Sequence, residues 1–389
     1  MFSSLLIILI LFSIHKLLYK YASNAKITHN IIGNHRYFVS SISICNIILL
    51  LFLVIINSSI SEFNNLGIVI ICDFIILIIL YFFNIRIKAR ESFEKLSLLI
   101  LFIITLISIL ITFLVIKTIL SESIIFFKEI PITAFLFGSN WEPQNELNDE
   151  IKNSFGALPV LGGTFLITFI SIAIATPAAI FSSVAITEFS KKEYRNKLKG
   201  LVKLIAGIPS IVYGYFAVLM VAPAIKNFFS FFNIDIPGES ALIPSIVISI
   251  MITPYMILII ADAITALPKS LKEAALALGS TKTEMIIKVI LPAIKPNIAS
   301  AILLAVSRAI GETMIVAMAS GLTAKLTLNP LESVTTITAQ IVSLLSGDQD
   351  FGSVKTLAAF ALALILFIAT FIINTLAHYI LKKYRIKYE

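Results

Sequence analysis

Nine long apolar runs constrain this chain more than any other feature of its sequence. A helix needs about 20 apolar residues to cross a hydrocarbon core about 30 Å thick. Hydrophobic residues make up 58% of the 389 residues and charged residues only 13%, which is more apolar surface than a soluble domain of this size can bury. The sequence therefore predicts an all-α polytopic membrane protein. The runs cover approximately residues 2–18, 40–57, 66–83, 96–118, 160–186, 201–224, 241–264, 298–320 and 355–380.

The distribution of basic residues predicts the orientation of these runs. Basic blocks lie at 16–36, 86–95, 191–203, 269–295 and 382–387, and the loops poor in basic residues lie at 121–157, 226–240 and 322–355. The two sets alternate along the chain, and by the positive-inside rule the basic blocks face the cytoplasm. Nine crossings then place the N-terminus outside and the C-terminus in the cytoplasm. We therefore ascribe the net charge of +8 to membrane topology and lipid contact, with no nucleic-acid partner.

Several other functional classes lack the residues they need. The Gly-x-x-x-x-Gly-Lys-(Ser/Thr) loop that cradles ATP phosphates is absent from the sequence, so the chain shows no ATP-binding loop of its own and we expect no enzyme activity in it. Cys45 and Cys72 lie inside apolar runs and show no metal-ligand spacing. Trp141, in an outer loop, is predicted to be an interfacial anchor. The sequence thus predicts no catalytic residue, no cofactor and no metal site.

A charged, helix-forming segment at 270–291 separates the seventh and eighth apolar runs. Ser270 stands three residues before Glu273, and Thr281 stands three residues before Glu284. Each pair has the spacing of a capping box, in which the side chains and backbone N–H groups of the two residues bond reciprocally. The segment is therefore predicted to contain two successive short helices.

The residues between and after these start signals predict a turn and a stop. Gly279 lies between them, where a residue tolerant of positive φ lets the chain turn, and Pro292 is expected to close the second helix. A helix–turn–helix of this kind on a membrane face is suited to a partner's groove. The alternative is an ordinary cytoplasmic amphipathic hairpin.

The same segment resembles the EAA loop of importer-type ABC permeases. In that loop Glu-Ala-Ala is followed after three residues by Gly, and after nine more by Ile, one residue and Leu-Pro. Val289 is the one departure here, because it stands where the pattern has Ile. The matching residues are Glu273, Ala274, Ala275, Gly279, Leu291 and Pro292. The resemblance implies that these residues form a coupling helix seated in an ATP-hydrolysing subunit.

The eighth apolar run contains two opposite charges near its middle. Arg308 is predicted to lie about 15 Å deep at a rise of 1.5 Å per residue, where a lone arginine costs roughly 2.5–3.5 kcal/mol. Glu312 is expected one turn later on the same helix face, so that the two charges neutralise one another. One interpretation is an ion pair that fixes helix packing. The other is that Arg308 offers a fixed cationic fork to an oxyanion, with Glu312 aiming it.

The residues around Arg308 also resemble a known segment. Arg308 to Met314, Arg-Ala-Ile-Gly-Glu-Thr-Met, is similar to a stretch of phosphate-specific transport permeases of the C type, whereas sulfate and molybdate permeases more often have Phe after Gly-Glu. The stretches 207–214 and 131–141 agree with the same family. The resemblance covers 96–389 and implies a six-span ABC importer permease core. It further implies that the substrate pathway includes Arg308, Glu312 and Thr313.

The resemblance also implies partners and a location. An A-type permease subunit, two copies of an ATP-binding subunit and an extracytoplasmic phosphate-binding protein would complete the transporter in the bacterial plasma (inner) membrane. A permease for another oxyanion, such as sulfate or molybdate, is the first alternative. An ion-coupled secondary transporter is a second alternative, although a coupling hairpin has no use in that mechanism.

The resemblance leaves residues 1–95 without a counterpart. They are predicted to form an N-terminal extension of about three transmembrane helices before the core at 96–389. Their one buried charge is Asp73, and no basic residue at membrane depth in these runs can pair with it. An intramembrane acid is a site candidate by default, and a protonated or hydrogen-bonded packing residue is the other interpretation.

Overall fold

A computed structural model of the chain describes residues 89–143, 154–234, 237–346 and 353–383. The first three apolar runs and Asp73 lie outside the described residues, so the three extra spans and the domain boundary at 95 stay predictions. The chain separates into two units, Met1–Leu114 and Val115–Glu389. The described part of the first unit is the beginning of one long helix.

That helix, α1, runs over Ala89–Glu129 and includes the fourth predicted run. Nearly all of its large apolar side chains from Leu98 to Val115 are exposed, as expected of a helix surrounded by lipid. The helix continues 11 residues beyond the predicted end at 118, because charged residues such as Glu122 end the apolar run without ending the helix.

The second unit continues with helices on both sides of the hairpin segment. Before it lie α2 (Ile132–Phe137), α3 (Leu158–Val184, extended by a π-helical turn Ala185–Phe189), α4 (Lys192–Ala206), α5 (Ser210–Phe216), a π-helical turn Ala217–Val221, α6 (Ala222–Ser230) and α7 (Leu242–Ala266). The rest are α8 (Lys269–Ala277), α9 (Lys282–Met285), a π-helical turn Ile286–Ile290, α10 (Leu291–Ala293), α11 (Lys295–Ile310), α12 (Met314–Ala319), α13 (Ile337–Leu345) and α14 (Val354–Lys383).

Among the described residues, five helical stretches are long and apolar enough to cross a membrane. They are Ser97–Glu129, Leu158–Phe189, Ser210–Ser230, Leu242–Ala266 and Val354–Ile380. The pair Lys282–Ala293 and Lys295–Ile310, bent by 66°, makes a sixth if it is counted as one span. These elements confirm the predicted all-α polytopic membrane class and agree with a core of six spans.

The predicted run 201–224 is wrong in its first third. Residues up to Ala206 belong to α4, a separate amphipathic helix that ends at Gly207, and the spanning stretch begins only at Ser210 after Pro209. Proline fixes its own φ and favours an extended residue before it, so the chain changes direction there. Hydropathy alone merged the apolar side of α4 with the span that follows.

Helix α7 forms the centre of the core of the second unit. Its side chains Ile248, Ile252, Met256 and Ile260 are fully or almost fully buried, and they belong to one cluster with residues of α3 and α11. The Ser171 hydroxyl of α3 donates to the Ser245 carbonyl of α7 at 3.0 Å, and the Ser183 hydroxyl donates to the Ile257 carbonyl at 3.2 Å. In both contacts the α7 residue comes 74 positions after its α3 partner. The two helices therefore advance in the same direction and run parallel. Small hydroxyl side chains let two backbones approach closely in a membrane bundle.

A second cluster lies at the end of the bundle opposite the hairpin. The rings of Phe126, Phe135, Trp141 and Phe155 pack together, mostly edge to face. Trp141 is only 5% exposed, and its ring N–H donates to the Gln340 side-chain oxygen at 3.1 Å. The prediction of an interfacial anchor is therefore wrong, since a buried indole with a bonded N–H is a core residue.

Candidate functional site

The eighth predicted run, 298–320, is a broken helix and not one continuous span. Helix α11 ends at Ile310, with Gly311 as its C-cap, and the short helix α12 begins at Met314 after Thr313. The three residues between them include Glu312 and Thr313, both expected in the substrate pathway. Non-helical backbone within a membrane protein is tolerated where protein or a water-filled cavity satisfies its polar groups.

Arg308 lies in the last turn of α11, about 20 Å along the helix axis from Lys295 at 1.5 Å per residue. Its guanidinium is exposed and lies over the Tyr255 ring of α7 at 5.7 Å from the ring centroid. A cation in the last turn of a helix is favoured by the helix dipole, and a ring face at this distance attracts it further.

Glu312 does not neutralise Arg308 as predicted. Within the described residues, no salt bridge joins their side chains, because the helix ends before Glu312 and the two residues no longer share a face. One carboxylate oxygen of Glu312 accepts the Ile315 N–H at 3.5 Å, at the long limit of a hydrogen bond. The Thr313 hydroxyl donates to the Gly311 carbonyl at 3.3 Å. The break therefore brings Arg308, Glu312 and Thr313 into one short segment without pairing the charges.

A threonine-rich segment that we did not select from the sequence packs against this break. The Thr338 hydroxyl donates to the Glu312 carbonyl at 2.8 Å, and so satisfies a backbone group freed by the broken helix. Thr336 caps α13, and the Ile337 N–H donates to the Thr164 hydroxyl of α3 at 3.0 Å. The run Ser-Val-Thr-Thr-Ile-Thr at 333–338 was the available signal.

Gly163 allows the close approach of α3 to that segment. A Cβ at Gly163 would collide with the Thr335 carbonyl oxygen, whereas a Cβ at Gly162 would meet only the end of the Leu326 side chain at 2.9 Å. We expect Gly163→Ala to lower the stability of the protein by about 1–3 kcal/mol, as overpacking does, and Gly162→Ala to have a smaller effect. Thermal unfolding of the two purified variants in detergent checks this. Equal midpoints would contradict the close approach.

The hairpin (residues 269–293) lies at the other end of α11. In α8 the predicted Ser270 cap is wrong: the N-cap is Pro268, without a side-chain hydrogen bond, because the proline already sets the extended entry into the helix. The predicted cap at Thr281 is confirmed, with reciprocal bonds to Glu284 of 3.0 Å and 3.3 Å. Hydrogen bonding from the Thr281 N–H is the main cause that lowers the pKa of Glu284 to about 2.

The turn of the hairpin has the conformation that glycine favours. Gly279 has φ +85°, its N–H bonds the Leu276 carbonyl at 3.0 Å, and the Ser280 N–H bonds the Ala275 carbonyl at 3.2 Å. This is a Schellman motif. Pro292 does not end the second helix, which continues through Ala293.

The EAA-type residues divide between an outer and an inner face of α8. Glu273 and Ala274 are exposed and Ala275 is buried. Leu278, beside the turn, is 88% exposed. The outer face of the hairpin thus exposes the Glu273 carboxylate and the Leu278 side chain, while its inner face, with Ala275, packs on the bundle.

Two lysines of the hairpin contact the end of α3. The Lys272 ammonium pairs with the Glu188 carboxylate at 2.6 Å, and the Lys282 ammonium donates to the Glu188 carbonyl at 2.6 Å.

In the part of the chain that the structure describes, no cluster of His, Cys, Asp or Glu could hold a metal ion.

The chain matches one family model over residues 175–386, and the model is described as "Binding-protein-dependent transport system inner membrane component". The match covers more than half of the chain and includes the hairpin and the broken helix.

Curated relatives match a somewhat larger share of the chain than the family model does. The chain is 35% identical over 246 residues to the probable ABC transporter permease protein YqgH of Bacillus subtilis. The matched residues make up 63% of this chain and 76% of that protein. It is 32% identical over 266 residues to the phosphate transport system permease protein PstC of Mesorhizobium japonicum, with 64% and 78% covered. It is 30% identical over 263 residues to the probable PstC of Methanocaldococcus jannaschii, with 64% and 82% covered.

A solved structure has the same fold at low identity. It is a bacterial ABC transporter involved in the import of the acidic polysaccharide alginate, with a TM-score of 0.51 and 18% identity, covering 75% of this chain and 99% of that one. Together these comparisons confirm the resemblance to importer permeases that the hairpin and the Arg308 segment predicted.

Proposed function

The chain belongs to the binding-protein-dependent transport system inner membrane components, the permease subunits of ABC importers, and we propose that the substrate of this permease is inorganic phosphate. The observation that carries the proposal is the exposed Arg308 guanidinium in a broken membrane helix. It has no salt bridge within the described residues. A fixed guanidinium stays charged at any relevant pH and binds phosphate-like oxygens in a bidentate manner.

The side chains around Arg308 suit a transient anion contact. The Tyr255 ring attracts the guanidinium without using its N–H donors, so those donors stay available to oxygen atoms. The Glu312 carboxylate, in the same break, would repel an anion bound too tightly at Arg308. In this proposal Arg308 attracts the oxyanion, Tyr255 positions the guanidinium and Glu312 favours release, with Thr313 lining the segment between them.

The partner subunits proposed here follow from the hairpin and from the relatives. We propose that the hairpin seats in one of two ATP-binding subunits, that an A-type permease completes the pathway, and that an extracytoplasmic phosphate-binding protein delivers substrate. The exposed Glu273 and Leu278 form the docking face. Lys191, Lys199 and Lys295 lie at the hairpin end of the bundle, where Lys199 pairs with Asp262 near the end of α7, and we therefore assign this end to the cytoplasm. ATP-driven closure of the partners would rock the spans around the pathway.

Uptake measurements test the substrate. A bacterial strain that lacks its own phosphate permease and carries this one, with its partner subunits, is expected to accumulate radiolabelled phosphate. Excess sulfate or molybdate should not compete. Uptake of sulfate or molybdate without phosphate would instead support the first alternative. The ion-coupled secondary transporter is set aside, because the chain belongs to the ABC permease family.

The N-terminal extension is proposed to be dispensable for transport. The predicted runs before residue 95 hold no basic residue at membrane depth that could attract an oxyanion. A chain shortened to begin near Arg90 is therefore expected to keep most of the phosphate uptake per inserted molecule, because Arg308, Glu312 and Thr313 all lie outside the removed part. Uptake normalised to membrane-inserted protein is the measurement. A shortened chain that inserts and assembles but moves no phosphate would contradict the proposal and make Asp73 the first residue to test.

A further inference from the structure

We propose that Glu188, Lys272 and Lys282 form the link through which the hairpin moves the spans α3 and α7. The inference rests on the proposed coupling role of the hairpin and adds the residues that transmit its motion. Glu188 lies in the π-helical turn at the end of α3, Lys272 lies in α8, and Lys282 opens α9. The two lysines therefore stand on opposite sides of the Gly279 turn.

Lys272 contacts the ends of two spans at once. Its ammonium lies 2.6 Å from a Glu188 carboxylate oxygen and 3.3 Å from the Ile264 carbonyl, which belongs to the last turn of α7. The side chains of Lys272 and Glu188 are only 20% and 12% exposed, so water screens this pair less than it screens a surface ion pair. One side chain thus joins the hairpin to both α3 and α7.

Lys282 contacts the same end of α3 from the second helix of the hairpin. Its ammonium donates to the Glu188 carbonyl at 2.6 Å and lies 4.4 Å from the Phe189 ring centroid. The last carbonyls of a helix have no intrahelical partner and carry partial negative charge, so a lysine there is favoured. Glu188 is therefore held through its carboxylate by one hairpin helix and through its carbonyl by the other.

These contacts matter most for α3, because this span has no covalent connection near the hairpin. Helix α7 enters the hairpin directly through Leu267 and Pro268, and α11 follows it directly, whereas Glu188 is 84 residues from Lys272 along the chain. Apolar packing around Ile186 and Met285 also holds the hairpin, but such packing is non-directional. The charged contacts, in contrast, fix the position of Glu188 and so attach α3 to the hairpin. Helix α3 is in turn hydrogen-bonded to α7, which runs parallel to it.

The turn that carries Glu188 is π-helical, as is the stretch Ile286–Ile290 of the hairpin. Single π-helical turns within α-helices are rare and frequently mark functional sites. Both sides of the link therefore contain backbone that departs from regular α-helix beside the ionic contact. Motion of the hairpin would then be passed on at Glu188.

The test compares uptake with ATP hydrolysis in the assembled transporter reconstituted in proteoliposomes. Lys272→Met keeps the aliphatic stem but removes the ammonium, and Glu188→Gln removes the charge and keeps the shape. Each is expected to lower phosphate moved per ATP hydrolysed by at least about fivefold, because removing a contact that carries coupling weakens the transfer of hairpin motion to α3. The double variant should be no worse than either single one, because both remove the same interaction. Lys199→Met is the matched control, since the Lys199 side chain is similarly buried, pairs with Asp262 of α7 outside the hairpin and should leave the ratio unchanged.

Two results would overturn the link. An unchanged ratio in Lys272→Met and Glu188→Gln would show that the pair transmits nothing. A loss of assembly in these variants, measured as membrane-inserted protein and co-purifying ATPase subunit, would assign the pair to folding. The coupling role of the hairpin is tested separately, because full uptake by Gly279→Pro would contradict that role. If Gly279→Pro is inactive while Glu188→Gln and Lys272→Met keep a normal ratio of phosphate to ATP, only the link is contradicted.

Discussion

Gly279→Pro is expected to reduce ATP-driven phosphate uptake to background while the protein remains in the membrane. Gly279 has φ +85°, whereas the proline ring locks φ near −65°, so the substitution cannot keep the turn. It also removes the N–H that bonds the Leu276 carbonyl. Helices α8 and α9 would then change their mutual angle, and the hairpin would no longer fit its partner. The spans are built from separate residues, so insertion should continue.

A graded series at the same position separates conformation from side-chain size. An added Cβ at Gly279 meets no atom within 4 Å, so only backbone strain opposes Gly279→Ala, at a cost of about 1–2 kcal/mol. Gly279→Asn should keep most of the uptake, because asparagine tolerates the left-handed region. Gly200→Ala is the control, since Gly200 has equally open surroundings but lies within helix α4. Uptake is measured alongside co-purification of the ATPase subunit.

Glu273→Arg tests the docking face of the same hairpin without altering its backbone. The side chain is exposed on α8, so reversing its charge should leave folding intact and weaken binding of the ATP-hydrolysing subunit. Replacing a favourable charge contact by a repulsive one costs several kcal/mol at an interface, enough to lose most uptake. Full uptake by both Glu273→Arg and Gly279→Pro would remove the reason for assigning coupling to this segment.

The span positions could be predicted from the sequence where burial and length decide them. The limits of α3, α7 and α14 agree with the predicted runs within a few residues, because each is a continuous apolar helix bounded by charged or turn-forming residues. The Thr281 cap could also be predicted, since capping depends on residues only three positions apart. These features rest on local sequence and on the thickness of a bilayer.

The broken helix could not be predicted in the same way. A glycine such as Gly311 within an apolar run can either let two helices pack closely or end a helix. A hydropathy profile is the same in both cases, so it does not reveal the break. The Ser270 cap failed for a related reason, because Pro268 offered a competing start signal two residues earlier. At both positions a neighbouring glycine or proline decided where the helix began or ended.

The contacts that matter most to the proposed mechanism join residues far apart in the chain. Glu188 and Lys272 are 84 residues apart, and Thr338 bonds the Glu312 carbonyl from 26 residues away. No local pattern identifies such partners, because they are selected by the packing of α3, α7 and α13. The charge at Arg308 could be recognised from the sequence, but its separation from Glu312 could not.

Arg308→Lys is expected to lower phosphate uptake by roughly ten- to a hundredfold, with assembly intact. Lysine keeps the charge but loses the planar fork that lies over the Tyr255 ring. A hydrogen bond to a charged group is worth about 1.5–3 kcal/mol, and each 1.4 kcal/mol is tenfold. Because we propose that a phosphate-binding protein captures and delivers the substrate, the maximal rate should fall and the half-saturating phosphate concentration should change little. Arg195→Lys, the same exchange on helix α4, is the control and should leave uptake unchanged.

The double variant Arg308→Gln with Glu312→Gln decides between a pathway residue and a structural ion pair. If the two charges stabilised one another, removing both would restore what each single change loses, since no unpaired charge would remain. Their side chains form no salt bridge within the described residues, so we expect no restoration and uptake near that of Arg308→Gln alone. Glu312→Gln alone should slow release and have a smaller effect than Arg308→Gln. Recovery of uptake in an assembled double variant would show that Arg308 serves packing, and the proposed contact with phosphate would then be wrong.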